Sequence, residues 1–218
     1  MRDAYRSDLD AITDALVEMT RLVGSAMARA TTALLDADLA LAESVIAADD
    51  QVDALYRQVE EQALDLLARQ SPVAGDLRTV VTSLRIVADL ERMGDLADHV
   101  ASVARRRFPA SAVPAELRGT VLEMGQVAQR IVTKAGSVIA SRDVDSAAEL
   151  ERDDDAMDSL HKRLFSLILA DDWDGGVEAA IDVTLVGRYY ERYADHAVSV
   201  ARRVVFLVTG ERPARVTS

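Results

Sequence analysis

A chain of 218 residues with 37 acidic and 25 basic side chains, net charge -12 and no cysteine excludes disulfide scaffolds, thiol catalysis and cysteine-ligated zinc or iron–sulfur centres. So acidic a surface repels phosphate backbones and anionic lipid, which sets nucleic-acid binding aside and favours cations or a basic partner. Half of the residues are hydrophobic but only 4% aromatic, which disfavours a β-rich fold and suits long helices. There is no apolar signal-peptide core after Met1, and no apolar run of the roughly 18 residues a membrane span needs. These absences lead to the expectation of a cytoplasmic protein that does not insert into a membrane.

Six helices are expected, over 3–36, 38–70, 74–107, 113–141, 143–170 and 175–209, each about 40 to 50 Å long at 1.5 Å per residue. The first link is Asp36-Ala37-Asp38 and the fourth Ser141-Arg142-Asp143, with Asp38 and Asp143 as N-caps. Pro72, Pro109, Pro114 and Pro213 break the chain, as does Gly175-Gly176. In the third helix Leu77, Val80, Val81, Leu84, Val87 and Leu90 recur at steps of three and four, as do Met157, Leu160, Leu164, Leu167 and Ile168 in the fifth. Short links between long helices make neighbours antiparallel. Trp173, in Asp171-Asp172-Trp173-Asp174, is expected to anchor the last link.

The pattern repeats. Asp49-Asp50-Gln51-Val52-Asp53-Ala54-Leu55 matches Asp154-Asp155-Ala156-Met157-Asp158-Ser159-Leu160, 105 residues on, and Glu91-Arg92-Met93-Gly94-Asp95 matches Glu191-Arg192-Tyr193-Ala194-Asp195, 100 residues on. A second register aligns Ala97-Asp98-His99 with Ala194-Asp195-His196. The two registers differ by nearly one helical turn, so either places an acid on the same stripe. An all-α fold of two tandem three-helix bundles follows, one over 1–109 and one over 110–218.

Residues four apart are neighbours on a helix, so Glu91 with Asp95 and Glu191 with Asp195 form acidic pairs. Asp49 with Asp53 and Asp154 with Asp158 do so on helices two and five. Asp98 extends the first stripe, near His99. Like charges at this spacing cost a few tenths of a kcal/mol per pair, and their duplication points to a positive counterpart such as a divalent cation held by carboxylate oxygens. Arg92 and Arg192, about 100° further around the helix, are better placed for salt bridges between helices. Gly94 and Ala194 are small enough for helices to approach closely. The clusters Arg105-Arg106-Arg107 and Arg202-Arg203 suit helix C-termini. His99, His161 and His196 are the only histidines, too few and wrongly spaced for a di-iron bundle, which uses two Glu-x-x-His motifs. His196 reads as a histidine satisfied on its helix face. No phosphate loop or nucleophile elbow is present.

Glu191-Arg192-Tyr193-Ala194-Asp195-His196-Ala197-Val198-Ser199, followed by Val205-Phe206-Leu207-Val208-Thr209-Gly210, resembles the second signature helix of the PhoU family. Leu90-Glu91-Arg92-Met93-Gly94-Asp95 resembles the first, and Asp76-Leu77-Arg78 after Pro72 also agrees. The resemblance implies a cytoplasmic, commonly dimeric adaptor that links a phosphate ABC transporter to a sensor histidine kinase and represses phosphate uptake and the phosphate-starvation response. It also implies metal clusters of iron, zinc, manganese or magnesium. Carried over by position, the metal ligands are Asp53, Glu91, Asp95, Asp158, Glu191 and Asp195, with Asp49 and Asp154 less secure. The family often has Asn four residues after the motif Asp; His99 and Ser199 stand there, and Ser is a poor ligand. On this reading the protein is not an enzyme. Two alternatives compete with it: a carboxylate-bridged metalloenzyme in a helical bundle, and a scaffold with solvated acidic faces.

Overall fold

A computed structural model describes residues 2–70 and 72–211; Met1 and Pro213 lie outside the described residues. The six helices are α1 (Arg2–Asp36), α2 (Leu39–Gln70), α3 (Gly75–Arg107), α4 (Arg118–Ser141), α5 (Val144–Ile168) and α6 (Gly176–Thr209). The fold is all-α, two three-helix bundles in tandem, α1–α3 and α4–α6.

The duplication is visible in the links. α1 ends on Ala37 at φ 51 and α4 on Arg142 at φ 57, a left-handed turn that strains a side-chain-bearing residue. In each case the next residue is a capping aspartate. Asp38 accepts a hydrogen bond from the Leu41 backbone N–H at 2.9 Å, and Asp143 accepts from Asp145 at 2.9 Å and from Ser146 at 3.4 Å. Two of the expected boundaries shift. After Pro114 the chain makes a 3₁₀ turn, Ala115–Leu117, before α4 begins, and α5 stops at Ile168. These two helices have 24 and 25 residues, or about 36 to 38 Å, shorter than expected. Trp173 donates its indole N–H to the Gly176 carbonyl at 3.3 Å and its ring lies against Gly175, where a side chain would collide with it. Gly176 at φ +76 completes the turn.

The bundles join along two antiparallel seams. In the α1–α4 seam Thr20 packs on Gly136 and Thr31 on Gly125, so the helices approach too closely there for a β-carbon. Thr31 donates to the Met27 carbonyl at 2.8 Å, and its hydroxyl meets the buried Tyr190 hydroxyl of α6 at 2.6 Å. The second seam is α3 against α6. One core of buried Val, Leu, Ile, Met and Ala runs continuously through both bundles. α2 and α5 flank it, and among the described residues their main packing is against helices of their own halves. Among the described residues no helix is long and apolar enough to cross a membrane.

The basic clusters at the ends of α3 and α6 are not merely capping groups, as expected from the sequence. Arg106 donates to Asp182 at 3.1 Å and Arg107 also pairs with it, while Asp182 on α6 is only 2% exposed. Near the other end of the seam, Arg203 and His196 of α6 both bond Asp89 of α3, at 2.5 and 3.1 Å. Arg202 instead reaches Glu151 of α5 at 2.6 Å. Two buried aspartates thus clamp the bundles together. Neither aspartate belongs to the repeated acidic motifs, although each carries a signal in the sequence. Asp89 falls in step with the buried Ile86, Met93, Leu96 and Val100, and Asp182 with Val186, Tyr190, Tyr193 and Ala197, so each is an acid on an apolar stripe.

Candidate metal site

Each half brings an acidic row from its outer helix against one from its last helix. In the first half, α2 carries Asp49 and Asp53, and α3 carries Glu91, Asp95 and Asp98. All five are half-buried. Asp49 sits where α3 comes closest. A β-carbon on Gly94 would stand 2.8 Å from the Asp49 carboxylate and 3.2 Å from Val52, so glycine at this position lets the carboxylate reach under α3. Burial, followed by the negative charges of Asp95, Asp53, Asp98 and Glu91, pushes the Asp49 carboxyl up to about 6. Glu91 is also raised, by burial and then by Asp95, and Asp98 chiefly by burial. We expect Gly94→Leu to cost about 2 kcal/mol by overpacking this crossing, read as a lowered urea midpoint.

The second half repeats the arrangement with Asp154, Asp155 and Asp158 on α5 and Glu191 and Asp195 on α6. Asp154 is pushed up to about 7 by burial, then by Asp195, Asp158 and Asp155, with Arg202 opposing. A groove of about 490 Å³ opens over these residues, bordered also by Arg188 and Arg202. Asp195 is exposed at its rim, while Asp154 and Asp158 are half-buried.

All six ligands expected from the sequence therefore lie in the two clusters, three in each. The residues judged less secure, Asp49 and Asp154, prove to be the most perturbed and to face the opposite row. Arg92 departs from expectation. It folds along its own helix to Asp95 at 2.7 Å and Glu91 at 3.6 Å rather than bridging helices. Arg188, one turn before Glu191, pairs with that carboxylate in the same manner. His99 stacks on Tyr189, with ring centroids 5.2 Å apart, and His196 bonds Asp89.

Among the described residues no group of three or more His, Asp or Glu side chains is already arranged to hold a metal ion. The donors nevertheless suit a hard cation in kind: every one is a carboxylate oxygen, and burial, with repulsion among them second, raises Asp49 and Asp154.

Comparison with known proteins gives one consistent result. The PhoU domain model matches residues 16–104 and 121–204. The phosphate-specific transport system accessory protein PhoU homolog 2 of Mycobacterium tuberculosis is 51% identical over 213 residues, covering 98% of this chain and 100% of that protein. The corresponding PhoU homolog of Rhizobium meliloti is 31% identical over 216 residues, covering 96% of this chain and 89% of that protein. Among solved structures, PhoU from Pseudomonas aeruginosa superposes with a TM-score of 0.86 at 30% identity, covering 95% of this chain and 100% of the other. The phosphate transport system regulatory protein PhoU from Streptococcus pneumoniae has a TM-score of 0.85 at 21% identity, covering 97% and 100%, and supports the fold alone.

Proposed function

The chain belongs to the PhoU family, and we propose that it is a metal-binding accessory protein of a phosphate-uptake system, an adaptor and not an enzyme. In this reading it acts from the cytoplasm as a homodimer. It holds phosphate uptake and the starvation response in check by linking a phosphate ABC transporter to a sensor histidine kinase. The names of the relatives support the phosphate-transport context. The observation that carries the cation-binding part is the facing of two acidic rows, repeated in both halves, with Asp49 and Asp154 pressed against the opposite row.

Asp49, Asp53, Glu91 and Asp95 would hold cations in the first half, and Asp154, Asp158, Glu191 and Asp195 in the second. Iron, zinc, manganese and magnesium are the candidates, and oxygen-only donors favour the harder ions. A bound cation supplies positive charge to a site whose own carboxylates repel one another. The chain's residues would then tie α2 to α3 and α5 to α6, stiffening the outer helices that otherwise pack on one side only. That face is a natural surface for a partner to read.

Metal analysis of protein purified without chelator tests this. Wild type is expected to carry metal, Glu91→Gln/Asp95→Asn to lose about half of it, and addition of Glu191→Gln/Asp195→Asn to remove the rest. The full variant should also fail to retain the transporter's ATPase subunit in a pull-down. Retention of that subunit by metal-free protein would remove cations from the mechanism.

A further inference from the structure

Between the acidic clusters, on the α3–α6 seam, lies a cleft rich in arginine and histidine. It measures about 350 Å³ and is lined by Arg92, His99, Arg188, Tyr189, Arg192 and His196, with Asp95 and Leu96 completing the wall. In a chain of net charge -12, three guanidinium groups and two imidazoles line this one cleft, with Glu91, Asp95 and Glu191 paired to Arg92 and Arg188 and Asp89 to His196. Both repeats contribute: Arg92, Asp95, Leu96 and His99 come from the first, Arg188, Tyr189, Arg192 and His196 from the second.

We propose that this cleft binds a small tetrahedral oxyanion of the phosphate type. Arg92 is compensated by Asp95 at 2.7 Å and by Glu91, and Arg188 by Glu191, so the guanidinium charge left uncompensated in the cleft is that of Arg192. Each guanidinium has five N–H donors. Arg92 commits Nε and Nη1 to Glu91 and Asp95, and Arg188 commits Nη1 to Glu191, so donors remain on both. Arg192, also exposed, enters no ion pair among the described residues. The walls are held in place. The His99 ring stacks on Tyr189 at an interplanar angle of 25°, and the His196 Nδ1 is engaged by Asp89, which Arg203 also holds. Planar, forked donors on a fixed frame are the arrangement that recognises an oxyanion in two directions at once. The volume accommodates inorganic phosphate or the terminal group of a small organophosphate. Exposed arginines make the attraction salt-dependent.

The cleft shares Asp95 with the proposed cation site, so anion binding is tested on metal-free protein. Inorganic phosphate and, separately, glycerol 3-phosphate are titrated calorimetrically into chelator-treated protein at low ionic strength. One saturable site per chain is expected for at least one of them, and the tighter of the two identifies the source of the phosphate group. Arg92→Gln/Arg192→Gln should weaken binding about tenfold, whereas Arg130→Gln, an exposed arginine on α4, should not. Both substituted arginines are exposed, and an unchanged thermal midpoint verifies that the variant is folded. No saturable binding of either ligand, equal binding by the variant, or complete displacement by chloride at matched ionic strength would overturn the proposal. Because no metal is present, that failure would leave the cation-binding reading untouched.

Discussion

Replacing Arg106 and Arg107 together with alanine is expected to destabilise the fold by about 3 kcal/mol, because it strands the Asp182 carboxylate in the seam without a cation. The side chain of Asp182 is 3% exposed, whereas those of Arg106 and Arg107 are 56% and 28% exposed. That asymmetry makes a second expectation possible. Asp182→Asn leaves the two arginines able to reach water, so it should cost no more than about 1.5 kcal/mol, near the net worth of the hydrogen bonds altered. The pair of Arg107 with Glu178, whose side chain is 83% exposed, adds little. For a chain of this length the double arginine variant should melt roughly 6 to 12 °C lower. Equal losses for the two variants would mean that the interaction is a surface one and that this end of the seam is joined by apolar packing.

Converting both Asp49 and Asp154 to asparagine should do the reverse, stabilising the metal-free protein at pH 8. Unfolded, these carboxyls titrate near 4; folded, at about 6 and about 7. Between those limits the native state holds protons that the unfolded chain has released. Stability due to these groups is therefore fully present below about pH 4 and is lost as pH rises through 6 and 7. With solvent screening allowed for, the two together cost on the order of 3 kcal/mol above pH 7.5. Denaturant titrations of chelated protein between pH 4 and pH 8 should show wild type losing stability relative to Asp49→Asn/Asp154→Asn as pH increases, with the two curves meeting at the acid end. Manganese added at pH 8 should recover much of the loss for wild type and little for the variant, since only wild type has the full carboxylate rows to offer.

Much of this fold was legible before any coordinates. The short links mark Asp38 and Asp143 as caps, and both cap. The structure adds that Ala37 and Arg142, which precede them, end helices in the same left-handed turn. Periodicity and link length sufficed there because they are local properties of the chain. The rows of acid were legible for the same reason, since residues four apart share a helix face whatever the tertiary structure. Which member of each row lies deepest was not. Asp49 and Asp154 take that place because of how helices cross, and at Gly94 the approach is set by a missing side chain on the other helix. The step of about 100° around the helix points Arg92 toward a neighbouring helix, but a long flexible side chain can turn back to a carboxylate three residues on. Arg107 and Asp182 are 75 residues apart, and nothing near Arg107 marks its partner. The only trace of that pairing was the acid on the apolar stripe of α6.

Anomalous scattering from crystals soaked in manganese tests the central claim most directly. The account predicts peaks between α2 and α3 beside Asp49, Asp53, Glu91 and Asp95, and equivalent peaks between α5 and α6 beside Asp154, Asp158, Glu191 and Asp195. Crystals that take up manganese only elsewhere, or not at all, would contradict it.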